Sequence, residues 1–248
     1  MISDEKKYAA PQWAAHYGCN AIVVADGDFP SHAFPLSLLQ ASLRPANMAR
    51  PLLCCCDGAG QKLVERGIMP DAIVGDGDSL SPDFKAKHSD IIHIVEEQEY
   101  NDLTKATRFV LNALRPDTRQ PHDSHCDTPS PPTICYLACT GKREDHTMGN
   151  IFLMPYYLRT FGIQPLLLND HGIFVTSHGD RTFSSFPQQQ VSIFNLSCTR
   201  LSSEGLKWQA YPSKEMWQGT LNESLGTSFT IHADGEYMVF LTYEKKSL

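Results

Sequence analysis

Six short apolar runs, each followed by a polar or glycine-rich turn, constrain the fold of this chain more than any other feature. The runs show no alternation of polar and apolar residues, which is typical of strands buried on both faces of a sheet. Helical stretches separate several of them, as in βαβ units. The first two thirds of the chain are therefore predicted to form an α/β domain with a mainly parallel sheet, whose strands are residues 21–24, 52–56, 72–74, 91–95, 134–138 and 166–168.

Three helices are predicted between these runs. The first covers residues 60–66 and ends at a glycine, as helices commonly do. The second follows from apolar residues at helical spacing between 103 and 114, with Asn101 as its N-cap. The third begins at a cap provided by Asp145 and ends near residue 161, and Pro155 is expected to kink or interrupt it.

The pattern changes after residue 170, where helical periodicity fades and short β-rich segments follow one another. These segments, separated by glycine-containing turns, predict an antiparallel β-sandwich or barrel. The chain is therefore divided into an α/β domain, residues 1–170, and a β-sandwich domain, residues 171–248. A segment rich in Pro, Asp, Ser and His, residues 115–132, is predicted to be a surface loop inserted between elements.

Composition excludes several classes of protein. The formal net charge of −7 argues against a nucleic-acid-binding protein, which normally carries a basic excess. No apolar window is long enough to span a bilayer, and the charged N-terminal segment lacks a secretory apolar core, so no membrane association and a cytoplasmic location are expected. The eight cysteines form no CxxC pair, and we expect buried, reduced thiols rather than a zinc site or a disulfide framework.

Charged and polar side chains follow nearly every predicted strand. The carboxyl ends of parallel strands form the ligand crevice of an open α/β sheet, so these side chains are expected to converge there. Carboxylates that close together remain ionised only when a cation neutralises them, and hard oxygen ligands suit Mg²⁺. The converging set is Asp57, Asp76, Asp78, Gln98, Asp102, Arg143 and Asp145. The segment from Gly75 to Ser79, with Asp76 and Asp78, fits a Mg²⁺ site.

Cationic groups near these acids indicate a phosphate-containing substrate. Gln98, Asp102 and Lys105 are spaced by four and three residues, so they share one helical stripe if the helix extends that far. The segment from Thr140 to His146 is a glycine-containing turn that leads into a helix, an arrangement that binds phosphate. Each piece alone is more often an acidic turn or a surface ion pair, and the prediction rests on their coincidence at strand ends. Neither a Walker A pattern nor GxGxxG is present.

The order and spacing of these motifs resemble the thiamine pyrophosphokinase family across most of the first 150 residues. The C-terminal half matches less closely, through Gly205-Leu206-Lys207-Trp208 and the stretch around Asn222. The segments that carry the resemblance are Cys56-Asp57-Gly58-Ala59, Gly67 to Ser79, Gln98-x-x-Asn101-Asp102-x-x-Lys105-Ala106 and Thr140-Gly141-x-Arg143-x-Asp145-His146-x-x-x-Asn150.

The resemblance implies a homodimer in which thiamine lies between the α/β domain of one subunit and the β domain of the other. It implies transfer of the terminal pyrophosphoryl group of ATP to the thiamine hydroxyl, giving thiamine diphosphate and AMP. By the same resemblance, Asp57, Asp76, Asp78 and Asp102 are the metal and catalytic acids. The implied ATP-binding residues are Gln98, Asn101, Lys105, Thr140, Gly141, Arg143, Asp145 and His146, and the implied thiamine-binding residues are Trp208 and Asn222.

Several alternatives stay open at this point. Trp208 either stacks on thiamine or belongs to the core of the sandwich. Glu97 and Lys142 stand where the family usually has Asp and Gly, and Lys142 either adds a phosphate contact or restricts the turn. Two other functions remain possible: a pyrophosphokinase acting on another alcohol, and a catalytically silent protein that senses a nucleotide or thiamine.

Overall fold

A computed structural model describes residues 12–14, 17–45, 48–114 and 130–245. Six parallel strands form one side of a ten-stranded sheet, in the order β6-β5-β1-β2-β3-β4. These strands are β1 Ala21–Val24, β2 Leu52–Cys56, β3 Ala72–Gly75, β4 Ile92–Ile94, β5 Thr133–Leu137 and β6 Gln164–Leu168. The helices are α1 Ala33–Ser42, α2 Asp57–Glu65, α3 Pro82–Lys87, α4 Asp102–Leu114 and α5 Glu144–Phe161, and short 3₁₀ turns cover Gln12–Ala14 and Met216–Gly219.

The second half of the chain continues the same sheet with antiparallel strands. β7 (Gly172–His178) pairs antiparallel with β6, and β13 (Glu236–Lys245), β9 (Gln189–Asn195) and β11 (Asn222–Glu223) follow in that order. A separate three-stranded antiparallel sheet contains β8 (Arg181–Ser184), β12 (Ser228–Ala233) and β10 (Leu201–Glu204). The predicted fold class, a parallel α/β part followed by an antiparallel sandwich, is confirmed. The division at residue 170 stays a prediction.

The core explains why the strand sequences lack alternation. Ile22 and Val24 of β1 belong to one buried cluster and Val23 to another, so both faces of this strand are covered. β4 differs, because among the described strands it is at the edge of the sheet and pairs only with β3; Ile94 is 49% exposed. The prediction of a strand buried on both faces was therefore wrong for residues 91–95.

Helix ends show where local sequence was misleading. Asn101 Oδ1 accepts a hydrogen bond from the Thr104 amide at 3.0 Å, which confirms the predicted cap of α4. The N-cap of α5 is Arg143, so the prediction that Asp145 caps it was wrong, and the helix continues unbroken through Pro155. Residues 115–129 of the predicted inserted loop lie outside the described residues.

Two further findings concern the cysteines and the helices. Every cysteine in the described ranges is a free thiol. All of them are buried, as predicted, except Cys19, which is partly buried and packs against the core. No described helix combines the length and the apolar character that crossing a bilayer requires.

Candidate active site

Three aspartates meet at the carboxyl ends of two neighbouring strands. Asp57 directly follows β2, while Asp76 and Asp78 follow β3. One carboxylate oxygen from each lies within 4.8 Å of the other two. Parallel strands that end at the same edge of the sheet place these side chains together, although about twenty residues separate them in sequence.

Asp57 is held in an unusual backbone conformation at the first position of α2. Its φ is +30°, which is uncommon for a residue other than glycine, and its side chain is buried. Oδ2 accepts a hydrogen bond from the Ser79 amide at 3.1 Å. Oδ1 is buried and has no hydrogen-bond partner within the described part of the chain. A buried carboxylate oxygen without a donor fits a position that binds a cation.

A tight turn brings Asp76 and Asp78 together. Gly77 adopts a φ of +79°, and the Asp78 amide donates to Asp76 Oδ1 at 3.2 Å. That amide, helped by Gln98 Nε2 at 3.3 Å from Oδ2, holds the pKa of Asp76 below its ordinary value. Gln98 reaches Asp76 from the segment before α4. The helix does not extend to Gln98, so the condition for a helical stripe shared with Asp102 and Lys105 is not met.

Asp102 and Lys105 form an ion pair beside the three aspartates. Lys105 is almost fully buried, and its Nζ lies 3.5 Å from Asp102 Oδ1. Burial raises the pKa of Asp102; Lys105 opposes this effect, and the negative charges of Asp57 and Asp76 add to it. The carboxyl group of Asp102 is therefore more basic than an ordinary aspartate, a property that suits proton transfer.

The turn between β5 and α5 lines the same cleft as Asp57 and Asp102. Gly141 has a φ of +81°, and a β-carbon there would meet Asp28 Oδ2 at 2.0 Å, so only glycine fits. Arg143 then caps α5 and donates to Asp145 through Nε at 3.1 Å and Nη2 at 2.6 Å. Both side chains are exposed. The amide end of an eighteen-residue helix and a guanidinium thus lie at the same place, which favours an anion.

A cleft of about 380 Å³ joins these elements. Six of the predicted site residues line it: Asp57, Asn101, Asp102, Gly141, Arg143 and His146. None of the remaining predicted residues of this half lines the cleft; they are Asp76, Asp78, Gln98, Lys105, Thr140 and Asp145. All of them except Thr140 contact its walls or the acid cluster as described above. The Thr140 carbonyl instead accepts a hydrogen bond from the Asp28 amide at 2.8 Å.

The sequence did not single out a group of charges at the mouth of this cleft. The Asp26 carboxylate accepts hydrogen bonds from Lys62 Nζ at 2.6 and 2.8 Å. Lys142 Nζ lies 3.3 Å from the same carboxylate and also donates to the Asp26 carbonyl. Because Lys62 is on α2, no short sequence motif connects it with the other two residues.

A second cleft, of about 210 Å³, lies in the C-terminal half. Trp208 and Asn222 both line it and contact each other, since Asn222 Nδ2 donates to the Trp208 carbonyl at 2.8 Å and Oδ1 accepts from the Trp208 amide at 3.2 Å. Trp208 is 53% exposed, so the alternative that it is a core residue was wrong. Lys207 Nζ already lies 4.8 Å from the centre of its ring, a cation–π contact.

Comparisons with known proteins agree with this geometry. Residues 45–164 match the model of the thiamin pyrophosphokinase catalytic domain, and residues 172–240 match that of the thiamin pyrophosphokinase substrate-binding domain. A search of curated proteins finds no match.

Solved structures share the fold at low sequence identity. The chain superposes on thiamin pyrophosphokinase from Candida albicans with a TM-score of 0.68 and 20% identity, covering 91% of this chain and 90% of that one. The yeast enzyme gives 0.69 and 16%, with 96% and 89% covered. The Bacillus subtilis enzyme gives 0.66 and 18%, with 90% and 99% covered. Because both domain models match in order, the chain belongs to the thiamin pyrophosphokinase family, whose members transfer pyrophosphate from ATP to thiamine.

Proposed function

We propose that the acid cluster binds Mg²⁺ and the triphosphate of ATP, and that the chain transfers the terminal pyrophosphoryl group to the hydroxyl of thiamine. The products are thiamine diphosphate and AMP. The observation that carries this proposal is the meeting of Asp57, Asp76 and Asp78 within 4.8 Å beside a cleft with a cationic wall.

The metal assignment follows from the chemistry of the donors. Asp57, Asp76 and Asp78 would hold Mg²⁺, which suits hard carboxylate oxygens and, when bound, neutralises phosphate charge. Asp57 Oδ1 supports this because it is buried without a described donor. Ser79 and Gln98 orient two of the carboxylates through the hydrogen bonds described above.

The protein's own side chains then have distinct roles. Lys105 and Arg143 offset the charge that develops on the transferred group and on AMP. Asp102 accepts the proton of the attacking hydroxyl, because burial makes its carboxyl group more basic. Supporting residues contact ATP or hold those that do: Asn101 caps α4, Asp145 orients Arg143, and Thr140, Gly141 and His146 belong to the turn and first helical turn at the cleft.

Thiamine is assigned to the second cleft, with its cationic rings stacked on Trp208 and its position set by Asn222. The two clefts share no lining residue among those described, yet the reaction needs both substrates at one place. We therefore propose a homodimer in which the C-terminal domain of one subunit, residues 171–248, delivers thiamine to the α/β domain of the other, residues 1–170. Exposed apolar side chains near the second cleft, including Trp217 and Leu221, support such an interface.

The proposed location is the cytoplasm. Free thiols are typical of proteins in reducing compartments, and the cysteines of the described ranges are all unpaired.

Product analysis tests the function directly. The protein is incubated with ATP, MgCl₂ and thiamine, and the nucleotides and thiamine esters are separated by chromatography. We expect AMP and thiamine diphosphate in equal amounts, neither of which forms when EDTA is present. AMP formation with another alcohol but not with thiamine would identify a different pyrophosphokinase, and thermal stabilisation by ATP without AMP would identify a silent sensor.

A further inference from the structure

Asp26, paired with Lys62 and Lys142, lies at the boundary between the ATP cleft and a smaller neighbouring cleft. Asp26, Gly27 and Lys142 line both, and the smaller one, about 210 Å³, is also lined by Lys62 and Arg66. The Asp26 carboxylate contacts Lys62 at 2.6 Å and Lys142 at 3.3 Å. All three side chains are about half exposed, so ions and nucleotides can reach them.

The backbone fixes the position of Lys142 firmly. Gly27 donates to the Ala138 carbonyl at 2.6 Å and Asp28 to the Thr140 carbonyl at 2.8 Å, so the segment after β1 is bonded to the turn after β5. Lys142 itself has a φ of +60°. A lysine in the left-handed region is strained relative to glycine, and such strain persists mainly where a side chain has a function.

The charges around Asp26 are unequal. One carboxylate contacts two ammonium groups, so this group carries a net charge of about +1 toward the cleft at neutral pH. If Lys142 moves away, Lys62 still neutralises Asp26 at the shorter of the two distances. Release of Lys142 breaks this half-exposed ion pair and an exposed hydrogen bond to the Asp26 carbonyl, and both contribute little at a solvent-exposed position.

We propose that Lys142 is a phosphate-binding residue that Asp26 holds at the mouth of the cleft until ATP binds. On binding, its ammonium group passes from Asp26 to the polyphosphate, and Lys62 keeps Asp26 paired. Arg143, the next residue, and the amide end of α5 lie on the same wall, so the transferred charge joins an existing anion site. This inference rests on the proposed function, because it requires a nucleotide in that cleft.

Calorimetric titration of the full chain with ATP and Mg²⁺, without thiamine, tests the inference. Lys142→Gly should weaken ATP binding about tenfold, the loss of one charge-assisted contact, and Lys142→Arg should stay within about threefold of the unchanged protein. Lys142→Gly relieves backbone strain, so its melting temperature should not fall, and a loss of affinity cannot then be assigned to misfolding.

A double-mutant cycle tests the transfer from Asp26. Asp26→Asn should tighten ATP binding about threefold when Lys142 is present, because competition for its ammonium group is removed, and this gain should disappear in the Lys142→Gly background. Unchanged ATP affinity in Lys142→Gly would overturn the inference, as would a gain from Asp26→Asn that persists without Lys142. If the unchanged protein forms AMP with thiamine while Lys142→Gly binds ATP normally, only this inference fails; if the unchanged protein binds no ATP, the proposed function fails with it.

Discussion

The absence of a side chain at Gly75 makes room for the carboxylate of Asp57. A β-carbon on Gly75 would lie 2.6 Å from Asp57 Cβ and 3.1 Å from Oδ1. Gly75 is the last residue of β3 and Asp57 the first after β2, so the placement of Asp57 beside Asp76 and Asp78 depends on β3 ending in glycine.

Gly75→Ala should therefore displace Asp57. We expect the turnover rate to fall by about 100-fold or more, since an ångström-scale displacement has that effect. The free energy of unfolding should fall by about 1–3 kcal/mol because of overpacking. Gly149→Ala, in α5, is the matched control, since a β-carbon there meets no atom within 4 Å. Normal turnover by Gly75→Ala would show that the placement of Asp57 is not critical.

Asp57→Asn is expected to raise the stability of the protein and to abolish its activity. The amide is less costly to bury than a carboxylate whose Oδ1 has no described partner, so we expect the free energy of unfolding in EDTA to rise by about 1 kcal/mol. Added Mg²⁺ should no longer raise the melting temperature, and activity should be lost. Asp90→Asn, at an exposed position outside the cluster, should keep the Mg²⁺ effect. Retention of that effect in Asp57→Asn would argue against Asp57 as a ligand.

The raised pKa of Asp102 gives a signed pH dependence. The folded protein binds a proton on this group more tightly than the unfolded chain does, so its contribution to stability is fully present below the ordinary pKa of 3.8 and is lost as pH rises through the raised folded value. We therefore compare the free energy of unfolding of the unchanged protein with that of Asp102→Asn, both in the presence of EDTA. The value for the unchanged protein minus the value for the variant should decrease as pH rises above about 4. Denaturant titrations at several pH values measure this difference, and a difference that grows in that window contradicts the assignment.

Trp208 is expected to contribute to the binding of thiamine and not to the binding of ATP. Trp208→Ala should raise the KM for thiamine about tenfold through the lost cation–π contact, while the KM for ATP stays unchanged and Trp208→Phe recovers part of the loss. Stability should change little because the ring is half exposed. Met69→Ala, which removes an exposed apolar side chain outside the second cleft, is the control. An equal effect of the two alanine variants on the KM for thiamine would count against stacking on Trp208.

Sequence predicted those parts of the site that follow from strand ends. Buried parallel strands have recognisable sequences, and residues just beyond them, such as Asp57, Asp76 and Asp78, must lie at one edge of the sheet. The cap at Asn101 was also predictable, because its side chain bonds locally to the amide of Thr104.

The remaining features depend on contacts between distant segments. The positive φ of Asp57 has no signal in its own residue type, and the edge position of β4 depends on the order of strands in the sheet. Asp145 has the chemistry of a cap, yet it lies inside α5 and pairs with Arg143. The Lys62–Asp26–Lys142 group joins three separate segments, which spacing alone does not connect.

The central claim is that Asp76 and Asp78 bind the Mg²⁺ on which the reaction depends. It is tested most directly by measuring the activity of variants of these two residues. AMP release from ATP and thiamine is measured over a range of Mg²⁺ concentrations for the unchanged protein, Asp76→Asn and Asp78→Asn, with folding verified by circular dichroism. We predict folded variants whose AMP release is lower by about 1,000-fold or more, the scale of removing one electrostatic contact to the reacting group. Near-normal AMP release by either variant, with an unchanged dependence on Mg²⁺, would contradict the account.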